Sequence, residues 1–152
     1  KDFPANEAAQ QQLLNDEEID FALSFDPASA AAAIESGKLP ATVRTYALDA
    51  GTIGNVSFVA IPFNAAHRDG AKVVANFLLA PTTQAHMQDI RVLGSFSVLD
   101  FARLDADARK AFDSLPRPVA LPSNAELGKT QLEPHPSWMS RLTDAWTKRY
   151  TR

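Results

Sequence analysis

Cysteine is absent from the 152 residues. That excludes disulfides, thiolate zinc sites and cysteine nucleophiles, and leaves a chain that tolerates oxidising surroundings without mispairing. Long apolar runs are absent too: none approaches the roughly 20 residues of a membrane span. Charge of one sign is in little excess, 15 Lys plus Arg against 18 Asp plus Glu for a net charge of −3. Such a balance gives no global pull toward nucleic acid or anionic lipid. HExxH, GxSxG, GxGxxG and the P-loop lysine motif are missing, so the common zinc-protease, serine-hydrolase, dinucleotide and nucleotide-phosphate signatures are all unavailable. His67, His86 and His135 stand at separations that fit no local zinc motif. No carboxylate pair rises above the surface charges to suggest a glycosidase. Lys1 stands where an initiating Met would, and the polar stretch 1–12 is no secretory leader. The expectation is that upstream residues were removed by processing or by design.

What is present is ordinary globular composition, 45% hydrophobic and 22% charged. A domain of this length buries roughly 70% of its unfolded surface. Ala5 to Leu14 reads as a short helix, rich in Ala and Gln. Residues 19–25 alternate, with Ile19, Phe21, Leu23 and Phe25 on one side, which predicts a strand. Asp26 and Pro27 then suit N-cap and N1 of a helix through Ser36, with Gly37 suited to end it. Residues 43–48 and 56–61 are further predicted strands, the second apolar on nearly every residue and therefore expected to be buried on both faces. Helices are predicted over 69–80, 82–89 (opened by Pro81) and 105–115 (capped by Asp105). Residues 92–99 suggest one more short strand.

Half of the ten prolines fall in 116–136, which excludes regular helix or central strand there. The reading is an extended strap that shelters Val119, Leu121, Leu127 and Leu132. Ser137 to Tyr150 is a helix whose stripe of Trp138, Leu142, Ala145, Trp146 and Tyr150 reads as core contact rather than as a ligand platform. Lys148, Arg149 and Arg152 suit its C-terminal dipole end. Alternating strands and helices make an α/β fold with at least partly parallel pairing. Two units are expected: 1–115 as the α/β portion, and 116–152 as the strap and final helix packed on it.

In such folds ligands sit at the carboxyl ends of strands. Two bends qualify. At Ser24, Phe25 and Asp26 a strand meets a helix; Ser24 offers a hydroxyl, Phe25 a ring to stack, and Asp26 a carboxylate that also caps its own helix. At Gly51, Thr52, Gly54 and Asn55, glycines allow close backbone approach while Thr52 and Asn55 supply polar groups. A plain connection between strands accounts for this bend equally well.

The stretch GNVSFVAIPFNAAHRDGAKVVANFLLAPTTQA, Gly54 to Ala85, resembles the solute-binding proteins of ABC importers. In that family a buried strand ends in Ile-Pro, an Asn-Ala pair follows, and a helix runs into Asn-Phe-Leu-Leu; Ile61, Pro62, Asn64, Ala65, Asn76, Phe77, Leu78, Leu79, Pro81, Gln84 and Ala85 match. Ala80 and Thr83 depart from the family's Ser and acidic residue. EIDFALSFDPASAAAAIESGKLP (Glu18 to Pro40) and RTYALDAGTIGN (Arg44 to Asn55) look like the family's returning strand and its cleft loop. RVLGSFSVLDF and EPHPSWMSRLTDAWTKRY look like its thiamine-type transporter branch.

The resemblance implies an α/β, periplasmic-binding-protein-like lobe: a mixed or parallel sheet flanked by helices, with the strap and C-terminal helix appended. It implies the C-terminal portion of a two-lobed periplasmic protein that has no enzymatic activity, cofactor or metal. Its expected partners are a small solute, cationic or thiamine-like, a membrane permease, and an N-terminal lobe outside this sequence. Self-association of the fragment through the uncovered face is a further expectation. A ligand-sensing domain of a regulator or receptor, and an enzyme on a related scaffold, are the alternative readings.

Overall fold

The computed structural model describes residues 3–123, 126–127 and 130–150. Asn6 opens the first helix, α1 (Glu7–Asn15), by accepting a hydrogen bond from the Ala9 N–H at 2.9 Å. The alanine run forms α2 (Ser29–Glu35). Its start lies two residues later than the sequence suggests: Asp26 does not occupy the N-cap position but closes the preceding turn, its Oδ1 accepting from the Ala28 N–H at 2.9 Å. Its end is as expected. Gly37 takes φ +71°, its N–H bonds Ile34 O, and the Lys38 N–H reaches back to Ala33 O at 2.8 Å. This double bond pattern needs a left-handed residue, which glycine adopts without strain.

Helices α3 (Arg68–Leu78) and α4 (Pro81–Gln88) follow, the latter opened by proline at N1. A 3₁₀ turn, Phe101–Arg103, leads to α5 (Ala106–Asp113), capped by Asp105 through the Ala108 N–H at 2.8 Å. The chain closes with α6 (Ser137–Tyr150). Among the described residues the architecture is mixed α/β, 42% helical with one small sheet. That sheet pairs β1 (Thr52–Ile53) in parallel with β2 (Thr130–Gln131), in the register Thr52 with Thr130 and Ile53 with Gln131.

The buried apolar residues fall into two groups, Ala28, Ala31, Ala33 and Leu39 in and around α2, and a second group in the middle of the chain. Ala85, Ala108, Phe112, Ala120 and Pro122 are buried there, with the Phe101 and Phe112 rings in tilted contact, centroids 4.8 Å apart. Gln84 is buried among them and fully used: its Nε2 donates to Leu78 O at 2.7 Å, and its Oε1 accepts from the Ser97 hydroxyl and the Val98 N–H, both at 3.2 Å. Asp89 is equally well held. Arg91 grips its carboxylate through Nε at 3.0 Å and a terminal nitrogen at 2.6 Å, which lowers its pKa from 3.8 to about 2.

Several expectations fail for one shared reason. Residues 19–25, 43–48 and 56–61 belong to no sheet among the described residues, and 92–99 begins as a turn, the N–H groups of Val92, Leu93 and Gly94 all meeting Asp89 O. The predicted doubly buried strand 56–61 is instead open, with Phe58 88% and Val59 64% exposed. Ser97 and Val98 further along are held by side chains, donating their N–H groups to Gln88 and Gln84. A strand satisfies its backbone only through a neighbour, and none is supplied. The strap does cover α5 with Ala120 and Pro122, yet Val119 and Leu132 remain exposed. Its residues 124–125 and 128–129 lie outside the described set, as does Arg152. None of the α6 side chains is buried, contrary to the core reading of its stripe; Trp146 and Tyr150 meet Phe3 edge-on at 5.2 and 5.5 Å. The chain exposes 12,359 Å², so it buries only roughly half of its unfolded surface instead of the roughly 70% usual at this length.

Candidate functional site

Ser24 sits at the centre of a small polar cluster between α1 and α2. Its hydroxyl donates to Glu7 Oε1 at 2.9 Å and lies 2.8 Å from the Ser29 hydroxyl, and it accepts from the Asp26 N–H at 3.2 Å. A hydroxyl has one proton to give. With that proton on Glu7, Ser29 must donate to Ser24, so the cluster is a directed chain running from Ser29 through Ser24 to the carboxylate. Gln10 adds a second link: its Nε2 donates to Leu23 O at 2.7 Å and its Oε1 accepts from the Leu23 N–H at 3.3 Å. The α1 helix thereby fixes the turn that precedes α2.

Between these two elements lies a hollow of about 190 Å³ lined by Pro4, Asn6, Glu7, Gln10, Leu23 and Phe25. Phe25 is 104% exposed, its ring standing free at the edge. The hollow therefore combines a carboxylate, a glutamine amide already in use and an aromatic face, a set that suits an organic cation. Glu7 is the member that sequence reasoning missed. It lies 17 residues before Ser24, and no spacing rule joins a first-turn glutamate to a serine on a later turn.

The second bend is built differently. Gly51 takes φ +100°, and its N–H closes a turn onto Leu48 O at 2.9 Å. Thr52 is part of β1. Gly54 donates to Gln131 O at 3.1 Å, and a Cβ added there would collide with the Thr130 side-chain methyl. Close approach of a neighbouring strand thus accounts for the glycine without any ligand. Asn55 is exposed. The Gln131 Nε2 caps the bend by donating to Ala50 O at 3.1 Å. Ser24, Phe25 and Asp26 on one side, and Gly51, Thr52, Gly54 and Asn55 on the other, share neither the hollow at Phe25 nor the larger one beneath the proline-rich segment.

A larger hollow, about 450 Å³, lies beneath the proline strap, with Phe96, Phe101, Phe112 and Pro122 among its walls. Its polar rim is internally paired. Arg117 lies 3.5 Å from Asp113, and Glu126 accepts from both the Ser123 N–H and hydroxyl at 2.8 Å, which holds its carboxyl below the usual range. His67 precedes α3, His86 lies exposed in the last turn of α4, and His135 pairs with the Ser137 hydroxyl at 2.9 Å. Among the described residues no cluster of His, Asp or Glu is arranged to hold a metal ion. None of the described helices is long and apolar enough to cross a membrane.

Comparison with known proteins finds one clear relationship. The chain is 40% identical over 150 residues to Protein YnjB of Escherichia coli (strain K12). The match takes in 99% of this chain and 37% of that protein, so the chain spans little more than a third of the relative's length. No family model matches, and no solved structure matches.

Proposed function

We propose that this chain is a C-terminal portion of a periplasmic solute-binding component of an ABC importer. The longer protein would hold a small solute between two α/β lobes and present it, closed, to a membrane permease. It would bind and release without chemical turnover. The observation that carries the solute class is the free Phe25 ring beside the Glu7 carboxylate at one hollow. A cation with an apolar body gains from both, since a ring face and a nearby carboxylate each attract positive charge. The Ile-Pro/Asn-Ala/Asn-Phe-Leu-Leu pattern in residues 61–79 supports the transporter reading. A thiamine-like compound fits this chemistry, with Phe25 as the stacking partner and Asp26 as a second carboxylate nearby.

Calorimetric and fluorescence titration of the longer mature protein against vitamins, amines, sugars and oxyanions tests this. Organic cations should bind while sugars and oxyanions do not. Phe25→Ala and Glu7→Gln should each weaken the signal. Silence across the panel would overturn the binding role, and preference for oxyanions would overturn the site.

A further inference from the structure

A compact monomer of 16.5 kDa exposes about 7,500 Å². This chain exposes 12,359 Å². The excess is about 4,800 Å² on this chain alone; permanent interfaces bury roughly 2,000–5,000 Å² summed over both partners, so it is about twice one partner's share of the largest of them. Much of it falls on segments with strand patterning. Phe21, Leu23 and Phe25 are 75, 85 and 104% exposed, and Phe58 is 88% exposed. Val73, Val74 and Phe77 on α3, the helix that follows the second segment, are also open.

Backbone accounting points the same way. Among the described residues, 56–61 makes no hydrogen bond within the chain, and 19–25 is held mainly by side chains from α1 and by the turn into α2. A face-to-face docking partner would cover the side chains and leave these amides and carbonyls stranded in a dry interface. An added strand satisfies both at once.

We infer that 19–25 and 56–61 are sheet strands whose neighbours come from another stretch of polypeptide, of the kind that makes up the remainder of the longer relative. The partner is woven into this chain's sheet and does not merely pack across a cleft. Segment 56–61 leaves directly from β1, so the two-residue parallel ladder with β2 is the seed from which the sheet extends. Being apolar on nearly every residue, 56–61 has the pattern of an interior strand, and both of its faces are open in this chain alone. Segment 19–25 has one apolar face and needs cover on that face alone. The occupant is of adequate size: the match uses nearly all of this chain but only 37% of the relative. A second copy brings the same uncovered segments and a ladder of its own just two residues long. The inference concerns the sheet and stands whether or not the solute reading does.

The test co-expresses this chain with the part of the Escherichia coli relative outside the matched 150 residues. Light scattering gives the stoichiometry, and hydrogen exchange followed by mass spectrometry maps protection. The expected result is a one-to-one complex in which amides of 19–25 and 56–61 exchange more slowly by about tenfold or more than in the chain alone. The Phe58→Asp, Val59→Asp double variant should abolish the complex while leaving exchange in α4 and α5 unchanged. Three results would overturn the inference: these segments already protected in the monomeric chain, a homodimer showing the same protection, or a co-expressed partner that leaves their exchange rapid.

Discussion

Residues 81–123 and residues 19–63 both carry large apolar side chains, but they settle in opposite ways. The first region folds α4 against α5 and lays a proline strap across them, so Phe112 is 3% exposed. The second leaves Phe21, Phe58 and Phe63 between 75 and 94% exposed. The difference is one of backbone rather than of hydrophobicity. A helix satisfies its own peptide groups and can then choose any apolar neighbour, even one a few residues away. A strand depends on a second strand before its side chains have a surface to join.

This contrast can be broken most forcefully at Phe112. Phe112→Ala removes the largest buried ring and its tilted contact with Phe101, and should cost about 3–5 kcal/mol in denaturant unfolding of the helical region. Next is Gln84→Leu. It leaves Leu78 O, the Ser97 hydroxyl and the Val98 N–H without their partner in a buried setting, at about 2–3 kcal/mol by the same measurement. Acid should act on Asp89 with a smaller effect. Its carboxyl pKa falls from 3.8 to about 2 in the fold, so the stability it contributes is complete above about pH 4 and is lost as pH falls toward 2. Thermal unfolding followed from pH 5 to pH 2 should show this loss, and Asp89→Asn should flatten it. The smallest effect belongs to the open region. Phe58→Ser should change the stability of this chain by less than about 0.5 kcal/mol, and a large loss would mean that 56–61 is already packed.

The same contrast explains what could be read from the sequence. Helix ends were legible because their signals are short-range: Pro81 at N1, Asp105 three residues before the N–H it caps, and Gly37 just past the alanine run. Asp26 misled by two residues because its side chain closes a turn as readily as it caps a helix. Alternation in 19–25 predicts a strand that no sheet among the described residues contains, because a period of two names no neighbour. At the candidate site, Ser24 and Phe25 were visible as a strand-to-helix bend. Glu7 was not, because only the folding of α1 against that bend brings it near. Gly54 looked like a place for a ligand and proved to be a place for Thr130. A glycine reports close approach without saying by what.

The glutamine on α1 has one more consequence. In an extended chain the N–H and C=O of one residue point to the same side, and those of its neighbours point to the other. Gln10 occupies both groups of Leu23, acting as a bookend against that margin of the segment. Any strand that pairs with this segment therefore has to approach along the margin presented by Ala22.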